Sequence, residues 1–384
     1  MKVLHVIPAV AARYGGPSQA VFGTARALAE QRVEVLVAST DADGSGRLPV
    51  QLGVECTYQD VPVIFFRRQL SEAFKYSRPL ARWLDAHVDD YDVVHIHAVF
   101  SHACLAAASA CRRHKIPYVV RPLGTLDPWS LRQKAFKKQV MWRIGGQKML
   151  QHAAAIHYTT RAEQRLAEKP LGLTRGVVIP LGVNQQAYAK TANVAAFRAR
   201  HPGLEEHPYV VVLGRLHPKK GLELLIDAFA KAAPEEWRLV VAGEGDPTYT
   251  GELKRTADQH APGRVLFTGW VEGEQKVAAL QGAALLALPS HQENFGLVVI
   301  EALACGVPVL VSPYVNLADD VQAVGAGWVV PLEPAALAQG LAEALARSDE
   351  RERRGAAGRD LAAQFSWPSV AAQLAQLYAR VGRN

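Results

Sequence analysis

The chain has 384 residues, 49% of them hydrophobic, which is enough for about two globular domains. No apolar run approaches the ~18 residues that a membrane span needs, and the four cysteines form no C-x-x-C pair, so the composition argues against a transmembrane protein and predicts a reducing, cytoplasmic setting. The formal net charge of +7 indicates an anionic partner, with nucleic acid, an acidic membrane surface and phosphorylated small molecules all open.

Short runs rich in Val, Ile and Leu alternate with helical patterns along the whole chain. Unbroken apolar runs suit strands buried on both faces of parallel sheets, and the segments between them suit crossover helices. Pro8 interrupts the first run and no A-x-A cleavage pattern follows, which indicates a buried strand rather than a signal peptide. The runs predict an α/β fold, and in chain order they are MKVLHVI, VEVLVAS, DVVHIH, PYVVR, AIHY, GVVIP, YVVVLG, RLVVAG, RVLFTG, ALLALP and VPVLVS.

The chain divides into two similar halves. Strand, Gly-containing loop, helix and second strand occur in that order at 1–39 and again at 208–243. In IPLGVNQQAYAK (179–190) a strand ends in Pro and Gly and the composition turns polar, so we place the seam near residue 185.

A final helix is predicted close to the end of the sequence. Ser366 precedes Trp367 and Pro368, which suits the N-cap and first turn of a helix. This helix is expected to cross back to the first domain. The predicted domains are therefore 1–185 with the helix 367–384, and 186–366.

Basic residues are densest in LRQKAFKKQVMWRIGGQK (131–148). Two interpretations stay open: a solvated helix face, or a face that rests on anionic lipid or accepts a lipid-phosphate substrate. The stretch interleaves cations with aromatic residues near helical spacing, namely Lys134, Lys137, Lys138 and Arg143 with Phe136 and Trp142.

The segment SHQENFGLVVIEALACGVPVL (290–310) carries two carboxylates near the predicted start of a helix. Gly296 and Leu297 are the expected first-turn residues, whose free N–H groups, with the helix dipole, form an anion site. Glu301 lies about one turn further in, at a reach suited to the two hydroxyls of a ribose. Glu293 stays in the loop, where its carboxylate can accept hydrogen bonds from neutral hydroxyls.

Other candidate residues also follow predicted strands, where ligands collect in open α/β sheets. In GRLHPKKG, Arg215 offers a planar fork for phosphate oxygens and Lys220 a mobile charge, so together they can neutralise a diphosphate leaving group. In ARYGGPSQA, Gly15 and Gly16 leave room for a ligand beside the backbone. Two further strand-end segments are AGEGD (242–246) and TGWV (268–271), whose backbone could read a base edge.

In this order the motifs resemble the family 4 glycosyltransferases of the GT-B fold, and the match runs nearly the whole chain. The resemblance implies two Rossmann-like doubly wound domains facing a cleft. It also implies transfer of a hexose-type sugar from a nucleotide-diphosphate sugar, with retention of configuration and without a bound metal or other cofactor. Glu293 would contact the donor sugar and Glu301 the ribose. The predicted catalytic residues are Glu293, Arg215 and Lys220, and the donor-binding residues are Gly15, Gly16, Glu244, Val271, Asn294, Phe295, Gly296, Leu297 and Glu301.

The acceptor side departs from the family pattern. Many relatives carry a His after the strand PYVVR, where this chain has Leu123, so Arg121 or Asp127 would take its place. His97, at the end of VVHIH, is predicted to touch the acceptor. His95 and His97 share a strand face as a metal pair would, but the sequence offers no third ligand, so we predict no metal requirement.

Several functions remain to be weighed. No G-x-G-x-x-G follows a strand, which argues against a nicotinamide-dependent oxidoreductase. A nucleotide-sugar 2-epimerase or phosphorylase on the same fold and a non-catalytic nucleotide-sugar binder stay open. For a transferase we favour a UDP donor and a saccharide or lipid-linked acceptor in polysaccharide or glycoconjugate biosynthesis, with peripheral membrane contact through 131–148 and no nucleic acid. PYVNLADD (313–320) replaces the family's glycine-rich stretch, so the groups facing the sugar there stay open.

Overall fold

The computed structural model describes residues 1–383, which form two compact units. The first contains Met1–Gly182 together with the chain from Trp367 onward, and the second contains Val183–Ser366. Gly182 packs against the ring of Trp367, whereas the amide of Val183 donates to the carbonyl of Phe365 at 2.8 Å. The seam therefore lies inside the linker predicted at 179–190.

The first unit is built on a large, mostly parallel sheet. Its strands are β1 (Lys2–Ala9), β2 (Glu34–Thr40), β3 (Ala42–Asp43), β4 (Gly46–Arg47), β5 (Glu55–Tyr58), β6 (Val61–Phe66), β7 (Val93–His97), β8 (Tyr118–Arg121), β9 (Ala155–Tyr158) and β10 (Gly176–Val178). The sheet order is β10-β9-β8-β7-β1-β2-β6-β5, parallel except for the antiparallel edge pair β5–β6. A separate antiparallel hairpin joins β3 and β4.

Helices cover both faces of this sheet. They are α1 (Gly16–Glu30), α2 (Arg78–His87), α3 (His102–His114), α4 (Pro128–Arg132), α5 (Ala135–Met141), α6 (Gln147–Gln151) and α7 (Arg161–Leu171). A π-helical turn, Trp142–Gly146, joins α5 to α6. The hydroxyls of Ser77, Ser101 and Thr160 cap α2, α3 and α7 by accepting a first-turn N–H.

Side chains of β1 pack alternately into two apolar layers. Leu4 and Val6 join one buried cluster, while Val3 and Ile7 join the other. A parallel strand with helices on both faces has no solvated side, which explains why its sequence reads as a continuous apolar run.

The second unit has an all-parallel sheet of β11 (Tyr209–Leu213), β12 (Arg238–Ala242), β13 (Val265–Gly269), β14 (Leu285–Leu288), β15 (Val309–Val311) and β16 (Gly327–Val329). Its helices are α8 (Gln185–Ala189), α9 (Val194–Ala199), α10 (Leu222–Ala232), α11 (Pro247–His260), α12 (Gly273–Gln281), α13 (Leu297–Ala304), α14 (Ala318–Val324), α15 (Pro334–Ala346) and α16 (Ser348–Ala363). The order β13-β12-β11-β14-β15-β16 reverses direction between β11 and β14. That reversal is the topological switch point at which doubly wound sheets bind ligands.

The last helix, α17 (Trp367–Val381), belongs to the first unit, as the sequence predicts. Its buried side chains, among them Leu374 and Tyr378, lie in the same cluster as Val3. A Cβ atom at Gly23 of α1 would lie 2.2 Å from the ring of Trp367, so α1 needs a glycine where the last helix begins.

The predicted α/β architecture is confirmed, and every apolar run that predicted a strand lies on one. The sequence analysis missed β3, β4, β5, β6 and β16. In β6 (VPVIFF) Pro62 argues against a central strand, but it pairs with Thr57 of the edge strand β5, where a residue without an N–H is tolerated.

Candidate functional site

The switch point of the second sheet gathers the charged residues that the sequence singles out. Arg215 and Lys220 lie in the loop after β11, and Glu293 lies in the loop after β14. Because parallel strands of one sheet end at the same edge, these two loops meet where the strand order reverses.

Backbone contacts fix these two loops against each other. The amide of His291 donates to the carbonyl of Lys219 at 2.7 Å. Gly221 adopts a left-handed conformation with φ of 65°, and a Cβ atom there would lie 2.3 Å from the carbonyl oxygen of Pro289. Only glycine allows both this conformation and this close approach.

The loop after β12 is tied to the same assembly. The amide of Leu216 donates to the carbonyl of Glu244 at 2.8 Å. A Cβ atom at Gly245 would lie 2.2 Å from the carbonyl oxygen of Leu216. The GRLHPKKG and AGEGD motifs therefore form one interlocked surface.

Lys220 and Glu293 form an ion pair across the switch point, with side chains only 13% and 16% exposed. Burial raises the pKa of the Glu293 carboxyl, but the charges of Lys220, Lys219 and Arg215 outweigh it, and the net pKa lies below its ordinary value. The carboxylate is therefore ionised at neutral pH and accepts hydrogen bonds only.

The PYVNLADD segment holds the backbone of Glu293. The amide of Glu293 donates to the carbonyl of Tyr314, and the amide of Asn316 donates to the carbonyl of Glu293, both at 3.0 Å. PYVNLADD, the segment that departs from the family pattern, thus positions Glu293.

Helix α13 begins at Leu297, so Gly296, which was predicted in the first turn, lies at the N-cap instead. Gly296 precedes it in a left-handed conformation with φ of 76° and supplies no side-chain cap. The first N–H groups of α13 therefore lack a side-chain acceptor from that position, and the positive end of the helix dipole lies beside the two loops. Phe295, next to Gly296, is buried against Phe365, so it supports the loop from within.

Glu301, in the second turn of α13, is held by a cation that the sequence analysis missed. Its side chain is 10% exposed, and its carboxylate accepts from the ammonium of Lys276 on α12 at 2.5 Å. Burial, and then the neighbouring carboxylate of Glu301, raises the pKa of the Tyr188 hydroxyl. Glu293 and Glu301 are thus each paired with a different lysine.

A cavity of about 450 Å³ adjoins these loops at the ends of β12 and β13. Glu244 lines it together with Lys254 and Phe267, and the ammonium of Lys254 lies 5.7 Å from the centre of the Phe267 ring. Val271, which the sequence predicts as donor-binding, is not among its lining residues.

Predicted residues of the first unit lie at the ends of β1, β7 and β8. Gly15 adopts φ of 70° directly before α1, which begins at Gly16. His97 and Arg121 end adjacent strands and are direct register partners. Asp127 caps α4 by accepting from the amide of Ser130 at 2.7 Å, which gives it a structural role.

The loop that carries Leu123 is held by a buried acid that the sequence analysis also missed. Leu123 has φ of 59°, a conformation that branched side chains rarely adopt. The carboxylate of Glu163 accepts from the amides of Gly124 at 2.8 Å and Thr159 at 2.7 Å. Burial raises the pKa of Glu163 despite these hydrogen bonds.

His95 and His97 do have a third histidine beside them, so the expectation of no third ligand was wrong. His5 of β1 is the register partner of His95, and nitrogen atoms of the three rings lie within 4.8 Å of one another. Their sequence separation hides this cluster, because only the pairing of β1 with β7 brings it together.

Both units of the chain match models of known protein families. The family model described as "Glycosyl transferases group 1" matches residues 194–361, and that described as "Glycosyl transferase 4-like domain" matches residues 15–182. A D-inositol 3-phosphate glycosyltransferase of Xylanimonas cellulosilytica is 31% identical over 77% of this chain and 73% of its own length. The chain belongs to the family 4 glycosyltransferases of the GT-B fold.

Further relatives agree with this assignment. A phosphatidyl-myo-inositol mannosyltransferase of Mycobacterium tuberculosis is 29% identical to this glycosyltransferase over 79% of the chain and 77% of its own length. The structure of the Anabaena protein HepE in complex with UDP and glucose superposes with a TM-score of 0.80 at 22% identity, covering 99% of this chain and 100% of that one.

The glycosyltransferase thus brings together Arg215, Lys220, Glu293 and the start of α13 within its second unit. Gly15 and the predicted acceptor-side residues His97, Arg121 and Asp127 belong to the first unit. Lys276 and Glu163 support the candidate site in the structure, although the sequence analysis did not predict them.

Proposed function

We propose that this glycosyltransferase transfers a hexose-type sugar, with retention of configuration, from a nucleotide-diphosphate sugar to a saccharide or lipid-linked acceptor. The observation that carries the proposal is the convergence of Arg215, Lys220 and the uncapped start of α13 on one edge of the second sheet. Two cations and a helix N-terminus form a site for a diphosphate.

Donor binding breaks the ion pair between Lys220 and Glu293. A diphosphate carries more charge than a single carboxylate, so it draws Lys220 away from Glu293. The released carboxylate then accepts hydrogen bonds from hydroxyls of the donor sugar. As the glycosidic bond breaks, negative charge grows on the diphosphate, where Arg215, Lys220 and the helix dipole stabilise it.

We place the ribose at Glu301 and the base at the cavity beside Glu244. Lys276 orients the Glu301 carboxylate, which also contacts Tyr188, and we place the ribose hydroxyls against this carboxylate. We favour UDP as donor nucleotide, consistent with the HepE structure in complex with UDP and glucose, while another relative is named as GDP-mannose-dependent. The proposed reaction uses no bound metal.

An inositol-bearing acceptor fits the comparisons best. The names of two relatives specify D-inositol 3-phosphate and phosphatidyl-myo-inositol, which are polyols carrying phosphate. An anionic acceptor of this kind also agrees with the net charge of +7.

We further propose that the segment 131–148 rests on an anionic bilayer. Phe136 and Ile144 are 79% and 71% exposed, and Val140 lies between them on the same helical stripe. The segment contains no acidic residue. Exposed apolar side chains flanked by cations favour insertion at an acidic lipid surface. No helix among residues 1–383 is long and apolar enough to cross a membrane.

The direct test is donor turnover across a panel of UDP and GDP sugars, with D-inositol 3-phosphate and phosphatidylinositol vesicles as acceptors. Transfer with retained configuration in the presence of EDTA is the expected result. Glu293→Gln should abolish transfer while Lys231→Ala, which alters an exposed lysine of α10, should not. Isomerised or phosphorolysed sugar, or donor binding without any turnover, would instead indicate an epimerase, a phosphorylase or a binding protein.

A further inference from the structure

A continuous series of hydrogen bonds, which we call the relay, runs across one buried face of the first sheet. It connects four histidines and one tyrosine, each at most 2% exposed, to a backbone carbonyl. The links in order are His97 Nε2 to His5 Nδ1 (3.1 Å), His5 Nε2 to Tyr378 Oη (3.3 Å), Tyr378 Oη to His95 Nδ1 (2.6 Å), His95 Nε2 to His157 Nδ1 (3.3 Å) and His157 Nε2 to the carbonyl of Ile179 (2.7 Å).

The backbone carbonyl at one end fixes which atom donates and which accepts in every hydrogen bond of the relay. The oxygen of Ile179 can only accept, so the hydrogen of neutral His157 is on Nε2 and its Nδ1 accepts. His95 must therefore donate from Nε2, and its own Nδ1 accepts from the hydroxyl of Tyr378.

The hydroxyl of Tyr378 also fixes the tautomers of His5 and His97. The oxygen of Tyr378 accepts from Nε2 of His5, whose Nδ1 then accepts from Nε2 of His97. All four histidines are thus Nε2–H tautomers. At the far end of the relay, Nδ1 of His97 keeps a lone pair that can accept a further hydrogen bond.

All four rings are neutral, as this assignment requires. Burial, and then the nearby charge of Arg121, lowers the pKa of His5 and of His157 to about 3. Burial also lowers the pKa of His95 and His97 well below its ordinary value.

Two complementary atoms are left at the carboxyl end of the sheet. Nδ1 of His97, an acceptor, and Nε of Arg121, a donor, are buried, and neither has a hydrogen-bond partner within residues 1–383. Because His97 and Arg121 are register partners on adjacent strands, their side chains project from the same face. A hydroxyl group can satisfy both, since it donates one hydrogen bond and accepts another.

We propose that this relay locks His97 as an acceptor, so that His97 Nδ1 and Arg121 Nε–H together bind one neutral hydroxyl of the acceptor polyol. The subsite rests on the proposed transferase function, whereas the tautomer order does not. Tyr378 is a positioning residue, because it acts on the ligand only by orienting the histidines. Through Tyr378, the last helix sets the hydrogen-bonding polarity of a site on the sheet.

The tautomer order is tested without any variant. Long-range ¹H–¹⁵N spectra of histidine-labelled protein at neutral pH should show the Nε2–H form for all four histidines. An Nδ1–H tautomer or an imidazolium in any of the four would overturn the relay. So would stoichiometric zinc in the purified protein, because a metal would replace these hydrogen bonds.

The subsite is tested with Tyr378→Phe, which removes the central link, and Tyr158→Phe as a matched control. Tyr158 is buried on β9, and its hydroxyl has no partner within the described residues. Tyr378→Phe should raise the acceptor KM about three- to tenfold, the range expected from one oriented hydrogen bond. The Kd for the donor should remain unchanged, and Tyr158→Phe should leave the acceptor KM unchanged. An unaltered KM in Tyr378→Phe, or an equal rise in both variants, contradicts the subsite.

Failure of the proposed function can be told apart from failure of the subsite. If no acceptor is glycosylated, the transferase proposal fails, and a titration with myo-inositol still reports on the subsite through the ¹⁵N shift of His97 Nδ1. A saturable shift supports hydroxyl binding there, and a constant shift overturns it.

Discussion

Replacing Lys220 with Met separates the two roles of that lysine. The variant leaves the Glu293 carboxylate largely buried without its ion-pair partner. Removing one partner of such a pair costs about 3–5 kcal/mol when both are fully buried, and the 13% and 16% exposure here places the expected loss of unfolding free energy near 2–3 kcal/mol. Loss of a cation at the diphosphate should also lower kcat about 10²- to 10³-fold.

The loss of unfolding free energy in Lys220→Met depends on pH in a defined direction. In the native protein the pKa of Glu293 is lowered, so its contribution to stability is present above the unfolded-state pKa of about 4.5 and is lost as the pH falls through the lower folded-state value. Without Lys220, the Glu293 carboxylate loses the largest of the charges that lower its pKa, so its folded-state pKa rises above the native value although Lys219 and Arg215 remain. The stability difference between the two proteins should therefore be largest at neutral pH and shrink as the pH falls through the two folded-state pKa values.

Urea unfolding followed by circular dichroism at a series of pH values measures this difference directly. The double variant Lys220→Met/Glu293→Gln is the control, because it removes the unpaired charge. It should recover most of the lost stability at neutral pH yet remain inactive. A single variant as stable as the native protein, or a loss independent of pH, would refute the proposed pairing.

Three further predictions follow from other parts of the structure. Lys276→Met should weaken donor binding about tenfold in calorimetry, because Glu301 loses the cation that orients it, while acceptor KM stays constant; equal losses for both substrates would argue against a ribose site. Gly221→Ala should lower the unfolding free energy by about 2 kcal/mol or more, since it adds a Cβ atom 2.3 Å from a carbonyl oxygen at positive φ, and an unchanged urea midpoint would contradict that geometry. The double variant Phe136→Ser/Ile144→Ser should lose sedimentation with phosphatidylglycerol vesicles but keep turnover of a water-soluble acceptor; retained sedimentation would remove this face from membrane docking.

The sequence was sufficient for the parts of the molecule that depend on local pattern. Strands buried on both faces are continuous apolar runs, so β1 and β11 could be predicted directly. The uncapped start of α13 could be placed as well, because Gly296 ends a loop that follows such a run.

Features set by packing between distant segments could not be predicted in this way. Lys276 lies 25 residues from its partner Glu301, and nothing in its own surroundings distinguishes it from an exposed helix lysine. His5 joins His95 only through the pairing of two strands 90 residues apart in sequence. Tyr378 looks like one more apolar position of the last helix until its hydroxyl is placed against a histidine.

The central claim is that the loops after β11 and β14 and the start of α13 bind the donor diphosphate. A crystal structure with a bound nucleotide-diphosphate sugar tests it most directly. The diphosphate should lie within hydrogen-bonding distance of Arg215, Lys220 and the first amides of α13, with Lys220 moved away from Glu293. A diphosphate bound elsewhere, with the ion pair between Lys220 and Glu293 intact, would contradict the account.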